Sequence, residues 1–221
     1  TQSSNHYRDY HGHGTHVAST VAGKTFGWAK NADIYAVKLS GLEGSGDSGT
    51  GITTSNAFDC IKLWHRNKPI DSKTGFKRPT IVNMSWGYLT TYNSVSQFTY
   101  RGQTHTGADV SSASQRETNY GLVNYYSFDY GAYVTNVRIA SVDTDVEELV
   151  DEGIHVTIAA GNRRHKIDIS TGVDYNNSAV TNSGTKYYHR GSSPSSPKAV
   201  VVGSLDNTSY STTLDQKATY S

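Results

Sequence analysis

An α/β architecture built on a parallel sheet is what this sequence predicts, on three observations. Short apolar runs rich in β-branched residues recur at 34–39, 80–84, 154–160 and 198–203. Stretches with apolar residues at helical spacing lie between them. The runs are nearly continuous, the pattern of parallel strands covered by helices on both faces. The 221 residues suffice for one sizeable core and demand no second domain.

Taken in order, residues 1–12 are polar and turn-rich and read as a loop. A helix should follow, with Val17, Thr20, Val21 and Lys24 at helical spacing and Gly23 tolerated inside it for close packing. Residues 34–39 suit a buried strand, and a glycine-rich loop runs over 41–51. Ile52, Ala57, Cys60, Ile61 and Trp64 favour a helix from 52 to about 67, which makes Cys60 a small buried hydrophobe. Pro79 closes the loop behind it, and 80–84 is the next strand. Further on, Val142, Val146, Leu149 and Val150 form the stripe of a helix over 142–152 that Gly153 stops. Strands at 154–160 and 198–203 complete the alternation. The stretch 88–140 differs: it carries Tyr88, Tyr92, Tyr100, Tyr120 and other tyrosines among small polar residues. It reads as an elaborated surface loop or β-rich insertion. The alternative is a recognition surface for protein or glycan, since tyrosine gives contact area at low entropic cost.

Composition narrows the functional classes. Twenty Lys and Arg against 19 Asp and Glu leave a formal charge of +1, so bulk electrostatics gives no case for nucleic acid or a membrane surface. No apolar run approaches the ~20 residues needed to span a bilayer, and no signal peptide opens the chain. Cys60 is the only cysteine, which excludes an intramolecular disulfide. Few charges, many Ser, Thr, Asn, Gly and Tyr and a mean hydropathy of -0.57 fit an extracellular or virion-associated protein. Thr1 is not an initiator methionine, so processing or truncation is expected at this end.

Two places carry chemistry. His11, His13 and His16 suggest zinc, yet no glutamate sits between histidines four apart and no third ligand is evident. The competing reading needs one neutral imidazole at a helix N-terminus, facing a nucleophile. Ala159-Ala160-Gly161-Asn162 ends a predicted strand, where parallel sheets place ligand sites.

The run from His13-Gly14-Thr15-His16 to Gly23 resembles the histidine motif of the subtilisin-like serine proteases, the subtilases. That resemblance implies a three-layer αβα fold with a mainly parallel sheet. It makes 1–221 the central part of one catalytic domain, incomplete at both ends, with 88–140 inserted. His13 matches the catalytic base, and His16 the second histidine, which packs within the helix. Asp9 matches a structural acidic residue placed just before the motif. Residues 31–38 resemble the next core strand. Gly44, Ser45 and Gly46 match the segment against which a substrate peptide lies extended. Ser85, Trp86 and Gly87 match the opposite cleft wall, where Trp86 departs from the usual small residue. It either narrows the first specificity pocket or packs under the insertion. Asn162 matches the side-chain amide donor to the oxyanion, with Ala160 and Gly161 beside it in the cleft. Residues 192–203 resemble the proline-containing approach to a further strand.

Neither the aspartate nor the nucleophilic serine of the triad has a match, and Ser221 lies in no such motif. The resemblance therefore implies a serine endopeptidase that needs companion segments carrying both residues and is inactive as an isolated chain. Autocleavage into pieces that stay together, a partial sequence, or a degenerate scaffold would each produce this pattern. His13 and Asn162 favour the first two. The alternative function is an inactive structural or binding component of a larger assembly such as a virion. Protein or peptide is the implied substrate. No cofactor is needed for the chemistry; structural calcium is implied, with Asp33, Asp47, Asp168 and Asp174 as possible oxygen donors in no EF-hand pattern.

Overall fold

A computed structural model describes residues 8–39, 52–92, 94–107, 120, 133–162, 166–206 and 216–217. The chain divides into two compact units, Thr1–Arg78 and Pro79–Ser221.

In the first unit, α1 (His13–Ala22) begins after Gly12, whose φ of 84° turns the chain into the first helical turn. The helix ends one residue before Gly23 and does not run through it to Lys24 as the spacing suggests. The reason is steric. The chain folds back over the last turn so tightly that a Cβ on Gly27 would meet Gly23 N at 2.1 Å, and Gly27 N donates to Gly23 O at 2.8 Å. Helix α2 (Thr54–Asn67) starts where the Thr53 hydroxyl accepts from Asn56 N at 3.3 Å. Its buried residues are Ala57 and Phe58, with Ile61 and His65 half-buried beside them. At about 100° per residue, that face is rotated from the one expected, and Cys60 falls outside it, free and exposed. Residues 34–39 form no strand: Ile34, Tyr35 and Val37 are exposed and carry no ladder partner among the described residues. A buried strand needs neighbours on both edges, and β-branched content alone does not supply them.

The second unit holds the expected parallel sheet, with strand order β1 (Ile81–Met84), β6 (His155–Ala159), β9 (Val200–Val202). Helix α3 (Ala140–Asp151) packs on β6 through the predicted stripe: Val142, Val146 and Leu149 are buried. Gly153, at φ 84°, ends it. Along β6, Val156 and Ile158 are buried while His155 and Ala159 are exposed. Within this unit no described helix covers the other face, and Val200, Val201 and Val202 stay more than half open to solvent.

The remaining described sheets are antiparallel and stand beside the parallel sheet. The larger has the order β4 (Gln103–Thr106), β3 (Gln97–Tyr100), β7 (Ser178–Val180), β8 (Lys186–Tyr188). Its core is Phe98 and Ala179, with Tyr92, Val95, Tyr100 and Tyr120 packed against them. β2 (Leu89–Tyr92) pairs with β5 (Tyr133–Asn136), and β10 (Leu205–Asp206) with β11 (Gln216–Lys217). The described parts of 88–140 thus include the four strands β2 to β5, and β3 joins them to residues 178–188. No described helix is long and apolar enough to cross a membrane.

Candidate active site

His13 is the first residue of α1, with its ring 6.0 Å from that of His11 in an edge-on arrangement. The turn that carries it is organised by Asp9. One carboxylate oxygen accepts from Gly12 N at 2.8 Å and His11 N at 3.1 Å. The other accepts from Thr15 Oγ1 at 2.7 Å and Thr15 N at 2.8 Å. The Thr15 hydroxyl first, then the backbone N–H groups, hold the Asp9 carboxyl far below the usual carboxylate range. Residues 40–51 lie outside the described residues, and Gly44, Ser45 and Gly46 with them.

The other candidates belong to the second unit. β1 and β6 run parallel with Met84 opposite Ile158, so their carboxyl ends reach the same sheet edge. Ser85, Trp86 and Gly87 leave β1 at that edge, and Ala160, Gly161 and Asn162 leave β6. Ala160 N still donates to Val202 O at 2.9 Å, and Gly161, at φ 98°, then turns the chain out to an exposed Asn162. The edge is tied below by polar side chains. Thr157 Oγ1 donates to Asn83 Oδ1 at 3.1 Å, and Asn83 Nδ2 to Ser85 Oγ at 2.8 Å. Trp86 is half-buried and meets the Tyr88 ring edge-on at 5.7 Å, a contact of the packing kind.

Ser192 and Ser193, in the proline-containing approach to β9, also hold this edge, a role their residue types do not reveal. Ser193 is fully buried; its carbonyl accepts from Tyr88 N at 3.0 Å, and its hydroxyl accepts from Ile139 N at 2.6 Å. Ser192 lies so close to Gly87 that a Cβ there would fall 2.4 Å from Ser192 Oγ. A Ser-Ser-Pro run has no periodicity that would reveal such contacts.

Three of the aspartates considered for calcium already have hydrogen-bond or ion-pair partners. Asp174 binds the Arg101 guanidinium through both oxygens, at 2.9 Å each. Asp168 accepts from Ile169 N and Asp174 N, and Asp33 lies 3.6 Å from Arg78. Asp47 lies outside the described residues. Among the described residues no group of three or more His, Cys, Asp or Glu side chains is placed to hold a metal ion.

The sequence model of the subtilase family, peptidase S8, matches residues 1–221. The subtilase-type proteinase psp3 of Schizosaccharomyces pombe is 42% identical over 79 residues, 36% of this chain and 16% of that protein. Subtilisin-like protease 5 of Arthroderma otae is 40% identical over 86 residues, 39% of this chain and 20% of that protein. Subtilisin-like protease 4 of Arthroderma gypseum is 65% identical over 40 residues, 18% of this chain and 10% of that protein. The matched segments thus span a tenth to a fifth of these relatives. No solved structure matches the chain.

Proposed function

We propose that this chain, which belongs to the subtilase family, contributes the base and the oxyanion donor of a serine endopeptidase. The supporting observation is the shared sheet edge at which β1 and β6 release 85–87 and 160–162, together with the family match over the whole chain. In this reading His13 takes the proton of a serine supplied by polypeptide outside these 221 residues, and an aspartate from such a segment orients the imidazole. Asn162 donates its side-chain amide to the oxyanion of the tetrahedral intermediate. By the family resemblance, Gly44-Ser45-Gly46 and Ser85-Trp86-Gly87 are the segments that bind an extended peptide by its main chain. Ala160 and Gly161 complete that wall. The polar, lightly charged composition supports an extracellular setting.

The test is peptide hydrolysis by the full-length protease that contains this chain. His13→Ala should nearly abolish turnover. Asn162→Ala should lower kcat by about 10²–10³-fold, the scale of losing one such donor in subtilisin. A fluorophosphonate probe should label one serine in the complete protein. If no serine is labelled, the alternative stands: a subtilase-like core serving only structure or binding.

A further inference from the structure

We propose that Asp9 is the positioning residue for His13, fixing the turn from which the imidazole is presented. The inference rests on the reading of His13 as the base and names the group that sets its geometry. Helix α1 has no buried residue in this structure, so packing against the described residues does not orient its first turn. A helix also leaves its first N–H groups without intrahelical partners. Asp9 supplies what is missing from both sides of His13. It binds the N–H groups of His11 and Gly12 before it, and the N–H and hydroxyl of Thr15 after it. Its negative charge also complements the positive end of the helix. Gly12 O meanwhile accepts from His16 N at 3.0 Å, so the bridged turn is continuous with the helix.

The same geometry excludes a second role. A carboxylate offers about four acceptor positions, and four donors already occupy Asp9. None is left for the His13 ring. Asp9 therefore does not stand in for the triad carboxylate, despite lying four residues from the histidine. It works through the backbone and does not touch the reacting atoms.

The experiment uses the full-length protease and begins with wild type against His13→Ala, which tests the catalytic reading by itself. Asp9→Ala should then lower kcat by about ten- to a hundredfold, the scale of a misplacement near 1 Å, with KM unchanged. Thr15→Val should cost several-fold and Thr15→Ser should recover the loss, since only valine removes the hydroxyl donor. The His13 ring resonances, read by NMR in each variant, should move with Asp9→Ala and Thr15→Val but not with Thr15→Ser. A folded Asp9→Ala protein with wild-type kcat and unmoved His13 resonances overturns the inference while leaving the catalytic reading intact. Should Asp9→Ala fail to fold, equal kcat in the valine and serine variants overturns it instead. If His13→Ala retains full activity, the catalytic reading falls, and the His13 resonances alone decide whether Asp9 fixes that turn.

Discussion

Asp174→Asn should loosen the hairpin β3–β4 from the segment that carries Asp174 and Asn177. The hairpin turns through Arg101 and Gly102 at φ 48° and 81°, a pair of left-handed residues that suits a two-residue turn. Arginine there costs about 1–2 kcal/mol of backbone strain, and its contacts must offset that. Arg101 N donates to Asn177 Oδ1 at 2.8 Å, Nε and one terminal nitrogen bind the two Asp174 oxygens at 2.9 Å, and Asn177 Nδ2 donates to Asp174 at 2.8 Å. Asp174 is only 9% exposed, whereas the Arg101 side chain is half exposed. Hydrogen bonds to charged groups contribute about 1.5–3 kcal/mol, and exposure of the arginine places this pair at the lower end. Asparagine keeps one acceptor and loses the charge, so a loss of about 2 kcal/mol is expected, or roughly 4–8 °C in Tm. The Arg101 hydrogen bond holds the Asp174 carboxyl below its usual range, with Asn177 adding to it. Such a depressed carboxyl contributes stability that is present above its unfolded value, about 3.9, and is lost as pH falls through the folded one. The gap between wild type and Asp174→Asn should therefore be constant near neutrality and close below about pH 4. A calorimetric series across pH, with Arg101→Met completing a double-mutant cycle, measures it. A cycle coupling under about 0.3 kcal/mol, within the additivity of independent sites, would refute the reasoning.

Two further outcomes test the parts that hold the candidate site. Leu149→Ala, at a side chain with 0% exposure on α3, should cost about 2.7–5 kcal/mol in urea unfolding; a loss under about 1 kcal/mol would mean that α3 does not seal the sheet. Gly87→Ala should cost about 1 kcal/mol, the low end of overpacking, because its Cβ would fall 2.4 Å from Ser192 Oγ, which can rotate away, and 3.2 Å from Ser192 Cβ, which cannot. Adding Ser192→Gly removes both contacts and should restore the melting temperature; no recovery would place the strain elsewhere.

How much of this was legible in the sequence depends on whether a residue's partner is local. Val142, Val146 and Leu149 share one helical face and find β6 immediately after Gly153, so α3 and β6 stand where periodicity puts them. Residues 34–39 have strand composition but no strand partner among the described residues, and composition cannot report a missing neighbour. On α2 two apolar stripes overlap, and the one through Ala57 and Phe58 is the covered face, which leaves Cys60 exposed. The pairing in the sheet β4-β3-β7-β8 is not legible: Gln97-Phe98-Thr99-Tyr100 alternates as a strand does, but its partner β7 lies about eighty residues away, and alternation does not name a partner. At the candidate site the ends of β1 and β6 were legible, since apolar runs stop at Ser85 and Ala160. Asp9 was legible only as a structural residue; its four donors depend on backbone directions that no residue pattern encodes.

The candidate groups share one physical trait, which separates their energetics from those of the core. Asn162 is set by the parallel register of β1 and β6 and by the turn at Gly161, His13 by a carboxylate bridging its own helical turn. Both are exposed, and neither depends on burial of its own side chain. Stability in the second unit rests instead on Leu149, Val146, Ile154 and Phe98, which are essentially closed to solvent. Substitutions at those residues should therefore alter melting and spare kcat per folded molecule until the unit opens. Substitution of Asp9 should do the reverse, because a turn held by four hydrogen bonds to one exposed carboxylate contributes little to a core but fixes the direction of one side chain. A protein in which stability and turnover fell in proportion at all of these sites would show that the candidate groups are held by packing, and would contradict the backbone-based account of both.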